Sequence, residues 1–278
     1  MSTFTIGGDL EVHRLGFGAM RVTGAGIWGP PPDHDAALAV LRRAVELGVD
    51  LIDTADSYGP HVSEQLIAEA LHPYPDGLVI ATKGGLERSG PGQWSRNGDP
   101  QHLKEACEGS LRDLRVDRID LYQLHAPDED VPYAESVGAL KELQDAGKIR
   151  LIGVSNVSVA QLAEARSLVE VVTVQNRYNL LDREDQDVLE VCEREGLGFF
   201  PWFPLEAGDL AKPGGVVGEI AAAHDATPGQ VALAWLLARS PVMLPIPGTG
   251  SVAHLEENTA AATLTLAPDE LARLDAAG

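Results

Sequence analysis

Short runs rich in β-branched and apolar residues recur along the chain, and each is followed by a stretch whose apolar positions repeat at helical spacing. The strand-like runs fall at 14–20, 49–55, 77–83, 119–125, 149–155, 171–176, 197–202 and 242–247. Amphipathic segments follow at 35–47, 63–71, 100–114, 132–146, 158–168, 183–195 and 215–224, and the last helices are expected at 228–239, 252–262 and 268–276. Leu78-Val-Ile-Ala81 and Val171-Val-Thr-Val174 are nearly apolar throughout, which suits strands covered on both faces. Helix punctuation agrees: Asp33 and Ser158 stand at helix starts, while Gly48, Gly147 and Gly196 follow helix ends.

Eight β-then-α units predict an α/β protein with a closed parallel (β/α)8 TIM barrel, formed as a single domain over residues 1–278. A doubly wound nucleotide-binding sheet would want Gly-x-Gly-x-x-Gly after its first strand; the nearest match, Gly16-Phe-Gly-Ala-Met-Arg21, lacks the third glycine. The opening Phe4-Thr-Ile6 and Glu11-Val-His13 flank Gly7-Gly8, the pattern of a short β-hairpin placed to cover the N-terminal end of the barrel.

Composition narrows the setting. With 44% hydrophobic and 23% charged residues the chain can bury a large core, so disorder is not expected. A net charge of −21 works against nucleic acid and anionic membrane surfaces as partners. The absence of any run of about 18 apolar residues, and of a basic and apolar N-terminal leader, argues for a cytoplasmic protein without a membrane span. Cys107 and Cys192 lie in separate helical segments and read as buried thiols. His61, His102 and His224 lack ligand spacing, so no metal is expected.

In a barrel of this kind, chemistry sits where the strands end. Asp53 and Tyr58 follow the second strand, Lys83 ends the third and His125 the fourth. A phenol has a pKa near ~10, too high for an efficient acid at neutral pH, but an ammonium beside it favours the phenolate and lowers that value. A carboxylate would keep that ammonium charged. Tyr58 beside Lys83 and Asp53 is therefore a candidate proton donor, with His125 binding a carbonyl oxygen or sharing the proton.

Leu51-Ile-Asp-Thr-Ala-Asp-Ser-Tyr-Gly59, Gly153-Val-Ser-Asn156, Val174-Gln-Asn176 and Pro245-Ile-Pro-Gly-Thr249 occur in the order found in aldo-keto reductases. The chain resembles that family from Leu15 to Asn258, and its Gly59-Pro-His-Val62 resembles the bacterial pyridoxal-reductase-like branch. The resemblance implies that Asp53, Tyr58, Lys83 and His125 form a catalytic tetrad. It implies an NAD(P)H-dependent oxidoreductase that reduces an aldehyde or ketone to an alcohol. Cofactor contacts are implied at Met20, Asp53, Ser155, Asn156, Gln175, Trp202, Phe203, Pro204 and Leu205. Around the adenosine phosphate they are implied at Gly248, Thr249, Gly250, Ser251, His254, Glu257 and Asn258. Trp202 would stack on the nicotinamide ring where the family usually has a tyrosine.

NADPH is the cofactor implied, with NADH possible because no Lys or Arg occurs from Val242 to Asn258. Trp28 and Trp94, with Tyr58 and His125, are the candidate substrate wall, and pyridoxal is the candidate substrate. A monomer or small homo-oligomer is expected. Two alternatives stay open: a nicotinamide-binding regulatory protein without turnover, and a lyase using Lys83 as a Schiff-base nucleophile.

Overall fold

The computed structural model describes residues 2–206 and 214–277. The chain opens with an antiparallel hairpin, β1 (Thr3–Ile6) and β2 (Leu10–His13), where the sequence pattern puts it. Next come β3 (Phe17–Gly18), α1 (His34–Glu46), β4 (Leu51–Asp53), α2 (Val62–Leu71) and β5 (Val79–Gly84). A second hairpin, β6 (Leu86–Gly90) with β7 (Gln93–Arg96), precedes α3 (Pro100–Leu114). The alternation resumes with β8 (Ile119–Leu124), α4 (Tyr133–Asp145), β9 (Ile149–Ser155), α5 (Val159–Leu168), β10 (Val171–Arg177), α6 (Gln186–Glu195) and β11 (Gly198–Trp202). Four helices follow: α7 (Gly215–Ala223), α8 (Pro228–Arg239), α9 (Val252–Ala260) and α10 (Pro268–Asp275).

Seven strands form one parallel sheet in the order β11-β10-β9-β8-β5-β4-β3, each joined to the next by helical crossovers. The expected eighth strand, 242–247, is not a regular strand. It is an irregular segment, with a single parallel bridge between Met243 and Phe199, hydrogen-bonded to both edges of the sheet. On one side Phe199 N donates to the Val242 carbonyl and Leu244 N to the Phe199 carbonyl, both at 2.8 Å. On the other, Gly16 N reaches the Pro245 carbonyl at 2.9 Å and Gly18 N the Pro247 carbonyl at 3.4 Å.

Pro245 and Pro247 carry no N–H, so the ladder toward β3 runs one way only. The same deficit shortens the first expected strand, 14–20, to Phe17–Gly18, and Met20 falls in a 3-10 turn, Ala19–Val22. The seam is tight enough to require glycine: a Cβ on Gly18 would stand 2.6 Å from the Ile246 carbonyl oxygen, and one on Gly248 would stand 2.5 Å from that of Gly18.

The core has an inner and an outer part. Inside, Ile6 and Val12 of the hairpin pack with Leu51, Val79, Leu121 and Val172, near the beginnings of β4, β5, β8 and β10. The hairpin thus covers the N-terminal end of the sheet. Outside, Ile52 and Ile80 meet Leu38, Leu41 and Ile67 of the helices, and a larger cluster joins β8–β11 to α3–α8.

Helix starts follow local chemistry. Asp33 accepts from Ala36 N at 2.9 Å, Ser158 and Gln161 form a capping box, and Asp99 accepts from Gln101 N at 2.8 Å ahead of Pro100. Cys107 and Cys192 are free and buried. Among the described residues, no helix is long and apolar enough to cross a membrane.

Candidate active site

The register of the parallel sheet brings the strand ends to one rim. Asp53 is the last residue of β4, opposite Ala81; Lys83 of β5 lies opposite Gln123; Gln175 of β10 lies opposite Ser155, the last residue of β9. His125 follows β8 directly, and Trp202 ends β11. Tyr58 hangs in the turn after β4, its N–H bonded to the Ala55 carbonyl at 3.2 Å. Asp53, Tyr58, Lys83 and His125 are all buried and together.

At the centre Lys83 Nζ donates to Asp53 Oδ1 at 2.6 Å and to the Thr54 carbonyl at 2.8 Å. Asp53 Oδ2 accepts from Gln175 Nε2 at 2.9 Å and Gln123 Nε2 at 3.2 Å. One N–H of the ammonium is left, and Nζ stands 5.2 Å from the centre of the Tyr58 ring. Burial alone would discharge Lys83, but Asp53 and Tyr58 outweigh it and raise its pKa, so the amine stays charged.

The balance at Tyr58 differs from the sequence expectation. Burial raises the phenol's pKa, and the opposing Lys83 charge does not cancel that rise. The sequence shows the cation but not the depth of the hydroxyl. The consequence is a phenol that keeps its proton across the ordinary pH range. His125 is pushed well below the usual histidine range, by burial first and then by Lys83, so its imidazole is neutral. Its Nδ1 lies 3.5 Å from Ser57 Oγ, and its ring meets the Tyr58 ring edge-on at 5.8 Å between centres.

Next to the tetrad, Ser155 Oγ donates to the Gln175 carbonyl at 2.7 Å. Asn156 Nδ2 donates to the His125 carbonyl at 2.9 Å, and Asn156 Oδ1 accepts from Trp202 Nε1 at 3.0 Å. Asn156 and Phe203 both have left-handed backbone, at φ 58° and 54°, a conformation non-glycine residues seldom hold without support. Hydroxyl and amide groups at one rim beside a flat indole fit the carboxamide and ring of a nicotinamide. Gln175 gives its Nε2 to Asp53 and so serves the tetrad as well.

Pro204 is buried and Leu205 partly buried directly after Phe203, while Met20 is partly buried under the rim and its carbonyl accepts from Thr23 Oγ1 at 2.9 Å. Farther round, Gly248 and Gly250 lead to Ser251, the N-cap of α9, whose N–H reaches Thr249 Oγ1 at 3.1 Å. This helix start suits a phosphate. His254 is exposed on its first turn and Asn258 is buried farther along; Glu257 is engaged elsewhere, accepting the Thr227 hydroxyl at 2.6 Å.

Three features escape the sequence reading. The region 84–99, between the expected strand 77–83 and the expected helix 100–114, folds into the β6–β7 hairpin and holds Trp94 against Tyr58, edge-on at 6.3 Å between centres. Gln123, a fully buried amide near the end of β8, proves to be an Asp53 partner. The first turn of α2 also approaches α3: His61 Nδ1 pairs with Asp113 Oδ2 at 2.9 Å, and ligand-type atoms of His61, Glu64 and Asp113 lie within 4.8 Å of one another. Sequence spacing gives no hint of that approach, since Asp113 comes from another helix.

The sequence model of the aldo/keto reductase family matches residues 14–278. An uncharacterised oxidoreductase of Schizosaccharomyces pombe is 50% identical over 271 residues, covering 98% of this chain and 88% of the yeast protein. Pyridoxine 4-dehydrogenase of Escherichia coli is 45% identical over 281 residues, covering 99% of this chain and 97% of its own length. Among solved structures, an aldo-keto reductase of Klebsiella pneumoniae in complex with NADPH superposes with a TM-score of 0.83 at 29% identity, covering 100% of this chain and 95% of that one.

Proposed function

The chain belongs to the aldo/keto reductase family, and on that footing we propose how its strand-end residues carry out the family's reaction. The protein is an NAD(P)H-dependent oxidoreductase that reduces a small carbonyl compound to the alcohol, with NADPH as cofactor. The bound nicotinamide supplies the hydride. Everything else falls to the chain's own side chains.

Tyr58 is the proton donor. Burial keeps its phenol protonated, ready for the oxygen that gains charge as the carbonyl is reduced. Lys83, held charged by Asp53 at 2.6 Å, stabilises the phenolate left behind until solvent restores the proton. His125 is neutral, so one ring nitrogen can donate a hydrogen bond to the carbonyl oxygen without adding a competing acid. Ser155, Asn156 and Gln175 would hold the carboxamide, and Trp202, with Phe203, Pro204 and Leu205 behind it, would face the ring. Met20 and the residues Gly248, Thr249, Gly250, Ser251, His254 and Asn258 would line the path of the adenosine phosphates.

The observation that carries this reading is the buried Asp53–Lys83 pair beside a buried Tyr58. It also weighs against a Schiff-base lyase, which needs a neutral lysine. The sheet is read as a full (β/α)8 barrel with 242–247 as its eighth stave, closed over a single domain spanning 1–278. That reading is supported by the hydrogen bonds the segment makes to β11 and β3.

Pyridoxal is the proposed substrate. The relative of that chemistry covers nearly the whole chain, and aromatic side chains, Trp28, Trp94 and Tyr58, gather beside Arg88 and the tetrad. A cytoplasmic monomer or small homo-oligomer is proposed. The test is a panel of pyridoxal, benzaldehyde, propanal and glyceraldehyde, run with NADPH and NADH in parallel and followed by loss of the reduced-nicotinamide absorbance. Sustained turnover with pyridoxal fastest supports the reading. A single oxidation of bound cofactor without cycling would favour the regulatory alternative.

A further inference from the structure

Arg88, in β6, pairs with no carboxylate among the described residues, and its guanidinium is saturated by backbone carbonyls. Nη1 donates to the carbonyls of Ile27 at 2.6 Å and Ser57 at 3.0 Å; Nη2 donates to those of Gly26 at 2.7 Å and Gly90 at 3.4 Å; Nε donates to that of Gln93 at 3.0 Å. A guanidinium has five N–H groups, and here each has a carbonyl. The three segments so tied are the loop after β3, the turn that ends in Tyr58 and the β6–β7 hairpin.

The same group lies over Trp94, its Cζ 3.6 Å from the ring centre, and 5.9 Å from that of Trp28. Such a stacked cation holds an indole in one orientation. The loop it grips is strained: Ile27, a β-branched residue, has left-handed backbone at φ 56°. A conformation of that kind persists only where its surroundings enforce it.

We propose that Arg88 is the positioning residue that assembles the substrate wall, fixing Trp28 and Trp94 against Tyr58 and thereby setting the preference for planar aromatic over small aliphatic carbonyl compounds. The proposal rests on the carbonyl-reductase reading of the site. With no N–H to spare, Arg88 acts through the wall and not by binding substrate. Lysine cannot replace it, because a single ammonium offers three N–H groups from one point and no plane to stack.

The test uses the full chain and the variants Arg88→Lys and Arg88→Ala, with benzaldehyde and propanal as substrates and NADPH binding measured separately. In both variants kcat/KM for benzaldehyde falls about tenfold or more, because misplacing a substrate-holding surface is costly. For propanal it falls less than about threefold, and the NADPH dissociation constant stays within about twofold. Equal losses for both aldehydes, or no loss for either, would overturn the proposal. Acrylamide quenching of tryptophan emission gives a readout that needs no turnover. Greater quenching in Arg88→Lys supports the wall, and unchanged quenching overturns it. If the unmodified protein turns over none of pyridoxal, benzaldehyde and propanal, the reductase reading fails while the quenching result still decides the role of Arg88; Arg88→Lys also serves if Arg88→Ala does not fold.

Discussion

Replacing Asp53 by asparagine keeps the side chain's shape and removes the charge that faces Lys83 in a fully buried pair 2.6 Å apart. The ammonium would be left with neutral acceptors, the asparagine Oδ1 and the Thr54 carbonyl. Breaking one side of such a pair costs about 3–5 kcal/mol. An independent ceiling agrees with this. Lys83 can escape by folding without its proton, and with an unfolded pKa near ~10.4 that escape costs roughly 5 kcal/mol at pH 7 but only about 1 kcal/mol at pH 9.5.

The two proteins therefore respond to pH in opposite ways. In the wild type the folded pKa of Lys83 is raised, so its contribution is complete below ~10.4 and lost only as pH rises through the folded value. In Asp53→Asn the folded pKa falls below the unfolded one, the unfolded state binds more protons, and stability rises with pH up to ~10.4. Urea unfolding of both proteins by far-ultraviolet circular dichroism, at pH 7, 8.25 and 9.5, measures the gap. It should shrink from about 3–5 to about 1 kcal/mol. A gap below about 1 kcal/mol at pH 7 would refute the reasoning, as would one that stays constant, which would trace the loss to the Gln123 and Gln175 hydrogen bonds instead of the charge.

Other consequences can be checked in the same way. Glu64 is buried, one of its oxygens has no partner, and burial raises its pKa from 4.5 to about 7. A raised carboxyl contributes stability below its unfolded pKa and loses it as pH climbs to 7, a cost of roughly 3 kcal/mol. Glu64→Gln should flatten that decline and exceed the wild type in unfolding free energy at pH 8; equal curves at pH 5 and pH 8 would count against it. Gly18→Ala would push a Cβ to 2.6 Å from the Ile246 carbonyl oxygen, so chemical denaturation should show a loss of about 1–3 kcal/mol. An unaffected midpoint would mean that the seam between β3 and 242–247 can give way.

The sequence is most legible where residues have one job. Apolar runs such as Leu78-Val-Ile-Ala81 and Val171-Val-Thr-Val174 become central parallel strands because both faces are covered. Asp53, Lys83 and His125 are visible because strand ends are where such a fold places chemistry, and Tyr58 because it follows at motif spacing. The irregularity of 242–247 is not visible in advance: its prolines interrupt an apolar run without breaking it, yet cannot complete a ladder. The β6–β7 hairpin lacks alternating apolar residues, its register running Leu86↔Arg96 through Arg88↔Trp94, and so looks like a loop.

Arg88 is invisible for a deeper reason. Its partners are backbone carbonyls as far as 62 residues away, and carbonyls have no sequence signature. The protonation of Tyr58 is misjudged from sequence because a linear reading shows the neighbouring cation and not the burial that outweighs it.

Carbonyl reduction by this chain draws its proton, on the proposed reading, from Tyr58. Tyr58→Phe removes one oxygen from a buried ring already held by Trp94 and His125, so the fold and the cofactor rim should stand. The decisive measurement is single-turnover oxidation of pre-bound NADPH on mixing with pyridoxal, set beside the NADPH dissociation constant of the same protein. The account predicts a rate lower by about 10²–10⁴-fold with the dissociation constant unchanged, as loss of a general acid requires. A variant that oxidises NADPH at the wild-type rate would contradict it outright.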